Sequence, residues 1–337
     1  MPALCVMEGD GIGHEVVSAA VQVLRAVLPD LDTVPAEAGW DCFLQHGTSV
    51  PEETLQTIRD CGAGLFGAVS SPSRKVAGYR SAIVTMRQAL GLHANVRPTR
   101  SLPLPRARSG VDLLVVRENT EGLYSGRERL EGEECAMAER VITRKASARV
   151  ARTAFELAQG GKRQRVTIVH KANILPLTDG LFRETVRQVA TDYPDIEVDE
   201  LLVDTAAMLL ACDPNRFDVI VTTNLFGDIL SDVATIWGGG MGLAPSLNLG
   251  DEIAVAEPVH GSAPDIAGQG KANPIATILS AALLLRHAWH QPDTANAVEQ
   301  AVFATLAAGI HTFDIASEGS QIVGTEGMTK AILARIG

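Results

Sequence analysis

An α/β fold with a substantial parallel sheet is predicted by two features of the sequence. Short apolar runs of strand character alternate with segments whose apolar residues recur at helical spacing. Each strand-like run also ends in a polar cluster before the next helix. The length of 337 residues adds a further expectation, because about 150 residues per domain implies two domains. Residues 3–7 (ALCVM) read as the first strand and end in a turn, EGDGIG, at 8–13. Over 14–28, Val16, Val17, Ala20, Val23, Leu24 and Val27 follow helical spacing. The runs DLLVVR (112–117), VTIVH (166–170) and FDVIVT (217–222) read as buried strands, with helix-period segments at 180–190 and 225–237. Residues 275–289 read as a mostly buried helix. There is no internal repeat and no low-complexity tract, and the Pro-rich stretch 97–105 is the best crossing point between domains.

Composition narrows the function. Hydrophobic residues make up 46% and charged residues 20%, which supports a packed core and excludes disorder. With 29 Lys+Arg against 40 Asp+Glu and a net charge of −11, a broad nucleic-acid surface is not expected. The most apolar stretch, 277–285, is stopped by Arg286 and His287, well short of the roughly 18 residues of a membrane span. The first residues carry no basic segment ahead of an apolar one, so no secretory signal is expected. Five cysteines, far apart and without a C-x-x-C pair, predict neither a disulfide framework nor a zinc site. A cytoplasmic protein is expected. Within it, residues 61–111 contain no acid but carry Arg74, Lys75, Arg80, Arg87, Arg97, Arg100, Arg106 and Arg108, a local charge of +8. Seven of those bases are arginine, whose planar fork suits carboxylate or phosphate. A solvated basic face and a site for a small polyanion both fit this segment.

Three motifs carry candidate chemistry. The glycine turn fails the G-x-G-x-x-G spacing, since His14 or Val16 stands where the third glycine is needed. It reads as a backbone-geometry solution more readily than as a pyrophosphate cradle. A Walker A loop is missing, because Gly270-Lys271 is followed by Ala272. In residues 224–232 (NLFGDILSD), Asp228 and Asp232 are four apart and project from one helix face. Two acids beside an apolar stripe suit a hard divalent cation such as Mg²⁺ or Mn²⁺, with a solvated face as the alternative. Residues 117–124 (RENTEGLY) and 170–173 (HKAN) follow buried strands, where α/β proteins place ligand-binding residues. Lys171 there is either a surface residue or, if desolvated, a group that moves protons.

The segments EGDGIG (8–13), ANVRP (94–98), RENTEGLY (117–124), HKAN (170–173), TNLFGDILSD (223–232) and EPVHGSAPDIAGQGKANP (257–274) occur in this order. Together they resemble the β-decarboxylating dehydrogenases, which include isocitrate, isopropylmalate, homoisocitrate and tartrate dehydrogenases. Through residues 70–84, 170–182 and 203–210 the sequence is most similar to the homoisocitrate enzymes. The resemblance implies the isopropylmalate dehydrogenase-like two-domain α/β fold, not a Rossmann fold. It implies a large cofactor-binding domain from 1–98 plus 252–337, a middle domain from 99–251, and a substrate cleft between them. It also implies a homodimer, with a tetramer as the alternative, in which a β-arm near 122–141 is exchanged and active sites are shared between subunits.

Residue roles follow from the same resemblance. Arg87, Arg97 and Arg117 are similar to the arginines that hold the malate carboxylates, with Ser71 and Asn173 as further substrate contacts. Asp228, Asp232 and, from the neighbouring subunit, Asp204 resemble the Mg²⁺ or Mn²⁺ ligands. Lys171, with Asp204 in the relay, would remove the C2 hydroxyl proton, and Tyr124 would protonate C3 after loss of CO₂. NAD would be held by His260, Gly261, Ser262, Ala263, Asp265, Ile266 and Asn273; NADP-dependent relatives tend to carry a lysine–tyrosine pair at the positions of Asp265 and Ile266. The variable arm of the malate would meet residues 70–87, where Ser70, Ser71, Ser73, Arg74, Lys75, Tyr79 and Arg80 suit a third carboxylate. A small tricarboxylate substrate is therefore expected, homoisocitrate before isocitrate and both before 3-isopropylmalate. Two departures stand out: His14, where many relatives have proline, and Val84, where some homoisocitrate enzymes have arginine. A non-catalytic regulatory subunit is the rival reading; such subunits tend to lose acid–base or metal residues, which are all present here.

Overall fold

The computed structural model describes residues 2–74 and 76–336. Lys75, one of the bases of the acid-free segment, lies outside the described residues. Along the chain run β1 (Ala3–Gly9), α1 (Gly13–Val27), β2 (Asp32–Pro35), α2 (Trp40–His46), α3 (Glu52–Cys61), β3 (Ala63–Ala68), α4 (Ala82–Ala89), β4 (Ala94–Arg100) and β5 (Asp112–Glu118). They are followed by β6 (Glu128–Glu131), β7 (Cys135–Ala138), α5 (Arg144–Gly160), β8 (Arg165–His170), α6 (Thr178–Ala190), β9 (Glu197–Leu202), α7 (Val203–Cys212), β10 (Val219–Thr222) and α8 (Asn224–Gly238). The remainder comprises β11 (Pro245–Leu249), β12 (Ala254–Pro258), α9 (Ile275–His287), α10 (Pro292–Ala307), β13 (Ile310–His311), β14 (Gln321–Ile322) and α11 (Thr325–Leu333). The fold is mixed α/β, as the alternation predicts.

Two compact units are present, Met1–Leu92 with Ser101–Ser109 and Gly238–Gly337, and His93–Arg100 with Gly110–Trp237. Relative to the expected boundaries, residues 93–98 fall in the second unit, and 101–109 and 238–251 fall in the first. In the first unit β1 lies between β2 and β3, both parallel to it. β12 continues parallel to β3, and β11 closes on β12 antiparallel. Cys5, Met7 and Phe66 of its strands pack against Leu55 and Ile58 of α3 and Met86 of α4, while α1 packs on β1 and β3. The apolar spacing of α1 buries Val16, Val17, Ala20, Val23 and Leu24. Its start is fixed by the glycine turn: a Cβ on Gly11, at φ +57°, would sit 2.2 Å from Ser262 O. The turn is thus filled by the chain's own backbone, in keeping with its failed dinucleotide spacing.

In the second unit β4 pairs antiparallel with β5, and β5, β10, β8 and β9 follow in parallel order. The Pro-rich stretch expected to be a crossing therefore begins as a strand, with Pro98 inside β4. The run at 112–118 is buried from Leu113 to Glu118, as a strand covered on both faces requires. α5 packs across β5, β8 and β10, and α7 and α8 contribute Ala206, Leu210, Leu230 and Ala234 to a core with Val115, Val169 and Ile220. Because β5, β8, β9 and β10 are parallel, they all end at one edge of the sheet. Arg117 and Glu118, His170 and Lys171, Asp204, and Asn224 sit on or just past those ends. β6 and β7 form an antiparallel hairpin that is exposed throughout, with Leu130 74% exposed.

Candidate active site

Arg117 is fully buried and multiply held. Its Nε and Nη2 donate to Asn224 Oδ1 at 3.0 and 2.7 Å, its Nη1 pairs with Asp228, and its guanidinium stands 5.0 Å from the Tyr124 ring centroid. Helix α8 can approach this strand because residue 227 is glycine; a Cβ there would lie 2.6 Å from the Arg117 Cβ. Arg97, from β4, donates through Nε to Asn95 Oδ1 (2.7 Å) and through Nη1 to Ser231 Oγ (2.8 Å). It also lies 3.3 Å from Asp232 and 3.5 Å from Asp228. Tyr124 Oη donates to Asp228 Oδ2 at 2.5 Å. Burial, reinforced by Asp228, pushes the Tyr124 phenol above its ordinary pKa, so it keeps its proton at neutrality. Burial also pushes the Asp232 carboxyl up, helped by the charge of Asp228 and opposed by Arg97. Arg97, Arg117, Tyr124, Asp228 and Asp232 are thus brought into one group.

The turn that delivers Tyr124 is built by Glu118, a buried carboxylate. It accepts from Thr120 N and Oγ1, both at 2.7 Å, and from Glu121 N at 3.1 Å. A second group lies past β8 and β9. Lys171 Nζ donates to Asp204 Oδ1 at 2.5 Å, which holds the exposed Asp204 carboxyl below its usual range. The main chain at Lys171 is set by the fully buried Asp179, which accepts from Lys171 N at 2.6 Å and pairs with Arg140 at 2.6 Å. Asn173 is exposed in the following turn, beside the exposed Ile174 and Leu177.

In the first unit Arg87 is buried on α4. It donates through Nε to Asn248 Oδ1 (3.0 Å) and through Nη2 to Glu257 Oε1 (2.8 Å). Ser71 is exposed in the loop after β3, and Val84 is half-buried one turn before Arg87 on α4. The loop 260–266 follows β12. His260 Nδ1 faces Gly261 O at 3.0 Å, whereas its buried Nε2 has no hydrogen-bond partner among the described residues. Burial pushes the His260 pKa down, so the ring is neutral and Nε2 is an open acceptor for a ligand hydroxyl or amide. Ser262 is buried and accepts from Ser70 Oγ at 2.8 Å, and Ala263 holds a positive φ of 37°. Gly261 and Asp265 are exposed, and Ile266 packs with Ile12, Val16 and Ala272. Asn273 is less available than expected: its Nδ2 donates to Asp314 (3.1 Å) and its Oδ1 accepts from Ile275 N (3.1 Å).

These residues fit the expected ligands. Two carboxylates on successive turns, one pushed up in pKa by burial and its neighbour, suit a hard oxygen-seeking cation. Among the described residues no three acidic, histidine or cysteine side chains gather around one point, so a further ligand would have to come from elsewhere. The open His260 Nε2 and exposed Asp265 carboxylate suit the hydroxyls of a nucleotide. Sequence reasoning missed Asn224, Ser231 and Asn95 as supports for the arginines, and Asn248, Glu257, Glu118 and Asp179 as anchors. Each is a buried polar residue, and all but Asn248 lie inside a quoted motif or run, but their burial shows only in the structure.

The class is α/β, with arginines, carboxylates, a tyrosine and a lysine placed on or just past the ends of parallel strands and on the neighbouring antiparallel β4. A family model described as isocitrate/isopropylmalate dehydrogenase matches residues 3–332, and the chain belongs to this family of β-decarboxylating dehydrogenases. It is 53% identical over 329 residues to an isocitrate/homoisocitrate dehydrogenase of Thermus thermophilus, covering 98% of both chains. It is 48% identical to a 3-isopropylmalate/3-methylmalate dehydrogenase of Methanocaldococcus jannaschii, covering 94% of both. The crystal structure of isocitrate dehydrogenase from Methylococcus capsulatus superposes with a TM-score of 0.94 at 44% identity, covering 100% of this chain and 99% of that one.

Proposed function

We propose that the chain oxidises and decarboxylates a 3-substituted malate with NAD⁺ and Mg²⁺ or Mn²⁺, and that the malate is homoisocitrate, converted to 2-oxoadipate in lysine biosynthesis. The observation that carries this reading is the group of two buried guanidiniums, a protonated phenol and two carboxylates around Asp228. Arg87, Arg97 and Arg117 bind and orient the malate carboxylates through their forked donors. Lys171 takes the C2 hydroxyl proton and Asp204 relays it, and NAD⁺, held by His260, Gly261, Ser262, Ala263, Asp265, Ile266 and Asn273, would supply the acceptor for the C2 hydride. Asp228 and Asp232 would hold a divalent cation, whose positive charge would favour negative charge on the C2 oxygen. When the bond from C3 to its carboxylate breaks and CO₂ leaves, Tyr124 gives its proton to C3. The working enzyme is a homodimer in which Lys171 and Asp204 serve the neighbouring subunit's site.

Asp265 favours NAD⁺, since its exposed carboxylate can accept from ribose hydroxyls and repels a 2′-phosphate. That repulsion, together with the absence of a cation for the 2′-phosphate at residues 265 and 266, amounts to on the order of 2–4 kcal/mol, or roughly 30- to 1000-fold. The tricarboxylate is supported by the hydroxyls and bases at 70–80. Isocitrate is the second reading, favoured by Val84 and by the double name of the Thermus relative; one methylene separates the two substrates, about 1–3 kcal/mol. Parallel kinetics with homoisocitrate, isocitrate and 3-isopropylmalate, using NAD⁺ and NADP⁺ with Mg²⁺, test the reading. Homoisocitrate with NAD⁺ should give the highest kcat/KM; highest efficiency with 3-isopropylmalate overturns the tricarboxylate argument, and equal use of both cofactors overturns the role of Asp265.

A further inference from the structure

The geometry points to Asp10 as a positioning residue for substrate choice, acting by gripping one end of the segment that carries Ser71. This rests on the reading of function above. Asp10 is buried at 2% exposure, yet among the described residues no ion pair satisfies it. Three backbone N–H groups do so instead. Its Oδ2 accepts from Trp40 N at 2.8 Å and from Ser70 N at 2.7 Å, and its Oδ1 accepts from Asp41 N at 3.0 Å. The Asp10 main chain is itself tied to the end of β3, donating to Ala68 O at 2.9 Å. One carboxylate of the glycine turn therefore joins the start of α2 to the start of the segment after β3.

The far end of that segment is held from the same neighbourhood. Ser49 Oγ donates to Arg80 O at 2.5 Å. The Tyr79 ring meets Trp40 and Phe43 edge-on, with centroids 5.0 and 5.2 Å away, and its hydroxyl donates back to Ser70 O at 3.2 Å. Ser71 is thus exposed between two fixed ends, one at Ser70 and one at Tyr79 and Arg80. The cofactor-side loop shares the first anchor, since Ser70 Oγ donates to Ser262 Oγ (2.8 Å) and Ile12 N donates to Ser262 O (2.9 Å). A glycine turn that resembles a phosphate loop works here as a clasp. Because the difference between homoisocitrate and isocitrate is one methylene of reach, the placement of this segment sets the preference.

The test compares wild type with Asp10→Asn and Ser49→Ala. An asparagine offers one acceptor oxygen and turns an NH₂ toward an N–H, so part of the clasp is lost; Ser49→Ala frees the other end and leaves Asp10 in place. Two readouts are taken: amide hydrogen exchange at Trp40, Asp41 and Ser70, and the ratio of kcat/KM for homoisocitrate to that for isocitrate. Asp10→Asn should speed exchange at Ser70 and move the ratio on the order of tenfold. Ser49→Ala should move the ratio in the same direction by less. An unchanged ratio despite lost protection at Ser70 overturns the proposal, because a merely structural role would lower stability alone. Retained protection at Ser70 in Asp10→Asn overturns it too. If Asp10→Asn fails to fold, the ratio for Ser49→Ala decides by the same criterion. A wild-type protein inactive with all three malates sinks the reading of function, and the specificity role with it. An active one with an unmoved ratio sinks only the clasp.

Discussion

Asp228 divides its two oxygens among Arg117, Arg97 and Tyr124, while Asp232 pairs with Arg97 from one turn further along α8. That sharing makes the two acids unequal. Asp232→Asn should abolish turnover, by on the order of 100-fold or more, with little change in thermal stability. Asp228→Asn should abolish turnover as well, and it should also melt lower. It deprives a fully buried guanidinium of its anion, a loss worth about 3–5 kcal/mol in enclosed sites and less here, where Asp228 is partly open. Both are checked by assay against Mg²⁺ concentration beside a thermal melt; undiminished turnover of wild type in excess chelator would remove the basis for the prediction. The acid pair was readable in the sequence because its four-residue spacing sits among apolar neighbours. Asn224 and Ser231 were not, since a polar residue on a helix looks the same in sequence whether it faces water or a buried arginine.

Glu121 works at the level of elements. Its carboxylate accepts from Thr143 N at 2.6 Å, at the N-cap of α5, and its carbonyl accepts from Asn224 Nδ2 at 3.1 Å, on the first residue of α8. Burial, reinforced by Glu118, pushes its carboxyl up from 4.5 to about 7. The unfolded chain releases this proton first, so Glu121 makes stability fall as pH rises from 4.5 to about 7, and the loss is complete above that. In Glu121→Gln the gap in melting temperature over wild type should therefore widen across that window and then level off. Parallel melting curves over the same range would count against it. The buried parallel strands were legible, because β5, β8 and β10 are continuous apolar runs. The edge strand β9, with acids at 197, 199 and 200, and β4, with a proline and buried Asn95 and Arg97, were not. Their pairing depends on partners far away in the sequence, and no local pattern records it. The hairpin β6–β7 was placed only through family resemblance, since nothing in its exposed residues marks a strand.

For the whole molecule, an isolated two-stranded hairpin is marginal in water, and the exposed β6–β7 arm supports assembly with a second copy of the chain. Mixing Lys171→Ala with Tyr124→Phe should restore activity after subunit exchange, because each hybrid dimer would hold one site with both groups intact. No recovery despite demonstrated exchange would argue against sites built from two chains. The pairing of arginines with acids then has a thermodynamic consequence. Asp228 and Asp232 already satisfy Arg97 and Arg117, so neither a cation nor a malate carboxylate meets an open partner. A cation taken up by the acids releases guanidinium N–H groups, and a carboxylate taken up by the guanidiniums releases the acids. Each ligand thereby prepares the place of the other, and the coupling must be reciprocal. Calorimetry without NAD⁺ should find Mg²⁺ tightening malate binding and malate tightening Mg²⁺ binding by the same factor, and independent affinities would refute it. On the proposed function, the two guanidiniums would serve as internal counter-ions, holding the cation's place until cation and substrate arrive.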